Sequence, residues 1–305
     1  MLDYTCKICN NKIEDNKHFY RLHSISQKEY FNKYENKKDL FSGEPIEFKS
    51  IDQYFQTDFN SRTNLREYLK SLSKEKGVDY LVDWLKKRKD IKSLIYAYSQ
   101  TELKTLLFPS IPFIEKFYGK GTYSKICEFA NLKLRYNYYQ QLDKSNKIKE
   151  IICDTRETRL LKFNGNIKIQ KIDCGDYAPN PNLQKIFIER KSLQDFLGVT
   201  NIGYDRFTRE LERVKKNNYY LIILIEEKFQ NLSSFRFLPH IHSKASQLFV
   251  FHQCHEICQN FAENVQILCC DGRKDAARII ELIFSIKNDI KKIDLMYEYD
   301  VGHLN

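Results

Sequence analysis

The stretch Leu183-Gln184-Lys185-Ile186-Phe187-Ile188-Glu189-Arg190-Lys191-Ser192-Leu193-Gln194-Asp195 decides how this chain is read. Its first half is a short apolar run of the length of a buried strand. Side chains alternate along a strand, so Glu189 and Lys191 share one face and emerge together at its polar end. A carboxylate beside an ammonium suits phosphodiester chemistry. The carboxylate holds a hard divalent cation, and the ammonium orients or deprotonates a water or contacts the phosphate.

The flanking segments repeat the strand pattern. KEIICD (149–154) is a short apolar run ending in Asp154, and IKIQKI (167–172) alternates. YYLIILIEE (219–227) is continuous and apolar, as expected of a central parallel strand covered on both faces. Helical periodicity follows in SLQDFLGV, GYDRFTRELERVKK, SKASQLFVFHQCHEICQNFA and RKDAARIIELIFSIK. Alternating strands and helices predict an α/β layer architecture. Asp154 lies at a strand end, where α/β sheets place active groups. Asp176 precedes Glu189 by enough residues for one strand to turn back and set the two acids side by side.

Taken in order, these pieces resemble the nuclease domain of the XPF family of structure-specific endonucleases. The hallmark Glu-Arg-Lys-x-x-x-Asp stands complete at Glu189-Arg190-Lys191-Ser192-Leu193-Gln194-Asp195. An opening Asp-x-Arg-Glu stands at Asp154-Thr155-Arg156-Glu157, and Gly-Asp-Tyr at Gly175, Asp176 and Tyr177. The family's arginine-bearing helix is similar to Tyr204-Asp205-Arg206-Phe207, and its next hydrophobic strand to 221–226. The resemblance covers roughly residues 150–290. It implies a restriction-endonuclease-like fold that cuts DNA with Mg²⁺ or Mn²⁺. By the same implication Asp176 and Glu189 are metal ligands, Lys191 acts on water or phosphate, and Asp154, Arg190 and Asp195 support the site. Many family members dimerise, so the resemblance admits a homodimer.

A second metal chemistry stands at the amino terminus. Cys6-x2-Cys9, eight residues, His18, four residues and His23 supply two thiols and two imidazoles in pairs. Zinc takes such sets tetrahedrally, with the cysteines from a knuckle and the histidines from one helix face. The expectation is a small Cys2His2-like finger holding structural Zn²⁺. His252, Cys254, His255 and Cys258 also cluster, but inside an amphipathic helix, where buried cysteines behave as small hydrophobes.

These readings divide the chain into a finger at 1–40, a mainly helical region at 41–145 and a nuclease domain at 146–305. TNLREYLKSLSKEKG (63–77) and the segment at 78–99 have helical spacing. Residues 110–136 weakly resemble the small helical DNA-binding repeats of homing endonucleases. There Lys116, Lys120, Lys125, Lys133 and Arg135 interleave with tyrosines, as phosphate contacts and stacking rings would. The alternative is a solvated helix over an aromatic core.

Charge supports this division. Residues 1–150 carry 28 basic against 20 acidic residues, and residues 151–305 carry 22 against 20, so most of the net +10 lies where a polyanion would be met. Aromatic residues make up 14% of the chain, which argues against disorder. No apolar leader and no run of 18 apolar residues is visible, so secretion and membrane spanning are not expected. The nine cysteines are then read as thiols or ligands in the cytoplasm rather than disulfides. The expected function is a metal-dependent DNA endonuclease. The competing readings are a non-catalytic DNA-binding protein that kept a nuclease fold, and an RNA-directed nuclease.

Overall fold

The computed structural model describes residues 5–13, 15, 17–34, 65–66, 69–70, 72–106, 108–235, 238, 241–243 and 245–304. Of the expected helix at 63–77, residues 63–64, 67–68 and 71 lie outside the described residues. Contacts divide the chain into two compact units, residues 1–81 with 106–109, and residues 82–105 with 110–305.

The second unit is built on a six-stranded mixed sheet in the order β2-β1-β3-β4-β5-β6. The strands are β1 (Glu150–Cys153), β2 (Ile167–Ile169), β3 (Tyr177–Asn180), β4 (Ile186–Lys191), β5 (Tyr220–Ile225) and β6 (Val265–Cys269). β4, β5 and β6 run parallel, while β3 is antiparallel to both β1 and β4. Every residue of β5 is buried, as its unbroken apolar sequence requires of a strand with neighbours on both sides and layers above and below. β2 has no buried residue and forms one edge. This is the expected α/β, restriction-endonuclease-like layer architecture, with helical segments preceding the sheet.

Polar side chains start the helices around the sheet. Ser192 accepts from the Asp195 amide before Leu193–Val199, and Ser246 accepts from the Phe249 amide before Gln247–Asn260. The helix Tyr204–Lys216 buries Phe207, Leu211 and Val214, spaced four and three apart, and leaves its arginines outside.

Residues 82–105 and 110–145 pack into this same unit. Thr101, on the helix Gln100–Thr105, donates its hydroxyl to the Ile267 carbonyl of the edge strand β6 at 2.7 Å. Glu102 is fully buried and paired with Arg135, whose guanidinium also donates to the carbonyls of Cys258 at 2.6 Å and Ala97 at 3.1 Å. Arg135 is therefore no phosphate contact, which corrects the expectation from its basic, tyrosine-rich surroundings. Pro112 stands in the first turn of the helix Ile111–Tyr118, where its missing amide proton has no partner to lose.

In the first unit, helices His18–His23 and Gln27–Tyr34 pack against a cysteine turn. Cys6, Phe19, Tyr30 and Phe31 form their buried core. Among the described residues no helix is long and apolar enough to cross a membrane.

Candidate active site and cysteine–histidine cluster

The expected acids meet at the carboxyl end of β4. The Asp176 amide donates to the Ile188 carbonyl at 2.8 Å, and the Arg190 amide donates to Asp176 Oδ2 at 2.8 Å. Asp176 thus grips β4 on both sides of Glu189. Gly175 makes this approach possible. Its φ is +66°, and a Cβ there would lie 2.8 Å from the Ile188 carbonyl oxygen. Only glycine takes that conformation at that distance without strain. The Gly-Asp-Tyr motif is therefore a packed strand entry, with β3 beginning at Tyr177 opposite Ile188.

Both acids are held away from water and close in charge. Burial, and then the Glu189 charge, raises the Asp176 carboxyl to about 7. Burial also raises Glu189, although the paired Lys191 opposes this. For Lys191, burial works against the charge, but Glu189 and Asp176 outweigh it and hold the ammonium above its ordinary value. Glu210, from the helix Tyr204–Lys216, adds its negative charge to the field at Glu189 and Lys191. No strand motif pointed to Glu210, which lies on a predicted helix. Its spacing from Phe207 and Leu211 was the only sequence signal that it borders the buried face.

Asp154 follows β1 and is buried, but it serves the loop. Its Oδ1 accepts from the Arg156 amide at 2.8 Å and Nε at 2.5 Å, and its Oδ2 accepts from the Ile172 amide at 2.8 Å. Burial opposes its charge, but Arg156 and the Ile172 amide outweigh that and keep the carboxyl below its ordinary range. The Asp154 amide donates to the Asp176 carbonyl at 2.9 Å, so this loop also fixes the backbone of the other acid. Asp195 is exposed in the first turn of Leu193–Val199, where it accepts from the Ser192 hydroxyl at 2.6 Å.

Arg190 alternates to the opposite face of β4 from Glu189 and Lys191. There it bridges Glu157 at 2.9 Å and Glu226 at 2.8 Å, and all three side chains are nearly buried. Its pKa is raised: burial opposes the charge, and the two acids overcome it. Glu226, just past β5, was not singled out in the sequence, because its role depends on strand pairing.

This donor set fits a hard cation. Two carboxylates repel one another in a water-poor setting, and a divalent ion between them relieves that repulsion. Mg²⁺ commonly takes one or two protein carboxylates and completes its shell with waters and phosphate oxygens.

The amino-terminal cluster also assembles. Cys6, Cys9, His18 and His23 offer ligand atoms all within 4.8 Å of one another, the one such group of three or more among the described residues. Cys6 Sγ lies 3.4 Å from His23 Nε2, and Cys9 Sγ lies 3.6 Å from His18 Nε2. A tetrahedral ion with bonds of ~2.3 Å to sulfur and ~2.0 Å to nitrogen has such an edge of about 3.6 Å. Burial opposes a Cys6 thiolate, but the amides of Cys9 and Ile8 donate to it and bring the thiol down to about 6, as a metal ligand requires. The internal set differs: Cys254 and Cys258 are buried core, and His255 pairs with the Thr105 hydroxyl at 2.5 Å.

The ERCC4 domain matches residues 144–283, bearing out the resemblance to the XPF nuclease domain. No curated protein matches the chain. Among solved structures, XPF from Aeropyrum pernix is similar at 16% identity, over 46% of this chain and 68% of that one, with a TM-score of 0.35. XPF from Aeropyrum pernix in complex with DNA is similar at 17% identity, over 44% and 62%, with a TM-score of 0.33.

Proposed function

We propose that this protein, with its ERCC4 domain at residues 144–283, is a metal-dependent DNA endonuclease. The observation that carries the reading is the placement of Asp176 across β4 at the level of Glu189, with Lys191 paired to Glu189 beside it. Asp176 and Glu189 would hold Mg²⁺ or Mn²⁺, which supplies Lewis-acid stabilisation of the phosphoryl oxygens. Asp176 keeps Oδ2 on the Arg190 amide, so Oδ1 is the oxygen that would take the ion. Lys191 keeps its proton beside Glu189 and serves as a donor that orients the attacking water or the scissile phosphate.

Asp154 and Arg190 hold the loop and strand ends on which these groups stand, and Asp195 pairs with Ser192, the cap of the following helix. In this reading the division is a finger at 1–40, a helical region at 41–145 and a nuclease at 146–305, with Zn²⁺ on Cys6, Cys9, His18 and His23. The amino-terminal parts supply DNA affinity, the enzyme acts in the cytoplasm, and it works alone or as a homodimer.

The test is a cleavage panel of duplex, flap, fork and single-stranded DNA, with an RNA control, in Mg²⁺, Mn²⁺ or chelator. Cutting of at least one DNA that disappears in chelator supports the reading. Absence of cutting across the panel with both cations would overturn it, and preferential cutting of RNA would move it to the RNA class.

A further inference from the structure

The second unit carries an exposed apolar surface ringed by lysines at the other end of its sheet. Its backbone is a short parallel clip: the Lys133 amide donates to the Ile95 carbonyl and the Ala97 amide to the Lys133 carbonyl, both at 2.9 Å. Around the clip Ile91 is 62% exposed, Ile95 66% and Phe129 60%, and Leu134 is also exposed. Isolated apolar side chains on a surface are ordinary, but these four, one of them aromatic, stand on the two segments that the clip joins.

Basic residues outnumber acidic ones around the patch, although Glu128, beside Phe129 in the chain, is exposed too. Five of the seven residues from Lys86 to Lys92 are basic and one, Asp90, is acidic. Lys92, Lys125 and Lys133 are exposed. The Lys133 ammonium stands 5.6 Å from the centre of the Tyr96 ring, and the Tyr96 hydroxyl donates to Glu263 at 2.7 Å, which holds that ring in place. Glu263 lies two residues before β6 begins, whereas Glu189 and Lys191 stand at the carboxyl end of the parallel strand β4. Along the strand direction alone, roughly one strand length, about 16 Å, therefore separates patch and acids.

We propose that this surface binds single-stranded DNA, with Phe129 as a stacking platform for a base, Ile91, Ile95 and Leu134 as its apolar floor, and Lys92 and Lys133 on the phosphates. Lysines alone would suit any polyanion. The exposed ring and aliphatic floor select a strand whose bases are free to stack, because a duplex turns its phosphates outward and keeps its base faces covered. A wholly apolar partner would leave the surrounding ammonium groups without counter-charges. This site does not depend on cleavage, so the two readings stand or fall separately.

The test uses the full chain carrying Glu189→Gln, so that no substrate is consumed, with fluorescence anisotropy on a labelled 20-nucleotide oligo-dT and on a 20-base-pair duplex over a salt series. Phe129→Ala with Ile95→Ala should weaken oligo-dT binding about tenfold without changing the salt slope, and Phe129→Trp should retain it. Lys133→Gln should lower the slope of log affinity against log salt by about 0.7. Duplex affinity should change less than about twofold in each case, while circular dichroism confirms an unchanged fold. Three results overturn the assignment: parental oligo-dT binding in both sets, equal loss on duplex, or altered self-association in sedimentation with DNA binding intact.

Discussion

The Arg190 amide holds the Asp176 carboxylate at 2.8 Å, so the strand that presents Glu189 and Lys191 also fixes the acid facing them. The backbone of one strand thereby ties the positions of acid and amine together.

Removing either group at this junction should separate chemistry from binding. Glu189→Gln and Lys191→Ala should each lower single-turnover cleavage by about 100-fold or more. DNA affinity, measured by anisotropy in Ca²⁺, should stay within about threefold. Parental cleavage rates in both variants would remove these residues from the mechanism.

The Asp176 carboxyl, raised to about 7 from an ordinary 3.8, links the site to stability. A raised carboxyl favours the folded state while protonated. That contribution is complete below the unfolded value and is lost as pH climbs through 7. Asp176→Asn should therefore melt above the parent at pH 8, by on the order of 1–2 kcal/mol, and the gain should shrink at pH 5. Added Mg²⁺ should raise the parent's melting temperature and leave the variant's unchanged.

Gly175 tests the packing that brings the strands together. Gly175→Ala forces a Cβ onto the Ile188 carbonyl at positive φ and should destabilise the unit by about 1–3 kcal/mol. Cleavage should fall even at temperatures where circular dichroism shows the variant folded, because Asp176 is displaced. Unaltered melting and cleavage would show that the close approach has no role.

Arg190→Ala leaves Glu157 and Glu226 buried and without their shared cation. The expected loss is about 3–5 kcal/mol by urea denaturation, and it should fall markedly when Glu157→Gln and Glu226→Gln are added. A loss that the added substitutions do not relieve would point to packing as its source.

Metal analysis of the purified chain should find about one zinc per molecule, consistent with four filled positions. Cys9→Ser should lose it and also lose the protection of the Phe19, Tyr30 and Phe31 amides in hydrogen exchange. Zinc content near zero in the parent would eliminate the assignment.

Much of this was readable along the chain, for a physical reason. Glu189 and Lys191 are neighbours on one strand, and the paired cysteines and histidines close over short loops, so spacing alone reports their geometry. Other features depend on pairings between distant segments. That β3 also pairs with β1, and that Gly175 presses on Ile188, follows from sheet register. Glu210 faces the acids because of how its helix is rotated on the sheet. Arg135 was misjudged for the same reason: basic composition suggests solvent, but Glu102, distant in sequence, gives the guanidinium a buried partner.

That buried clasp bears on where the protein can be cut. The homology to ERCC4 begins at residue 144, but Thr101, Glu102 and Arg135 already cover the outer edge of β6 and the Cys258 carbonyl. A fragment starting at the homology boundary would bare a sheet margin whose unpaired backbone groups invite edge-to-edge stacking with its own copies. Ancestry and cooperativity thus draw different borders here, because side chains before residue 144 already belong to the packing of the sheet's last strand.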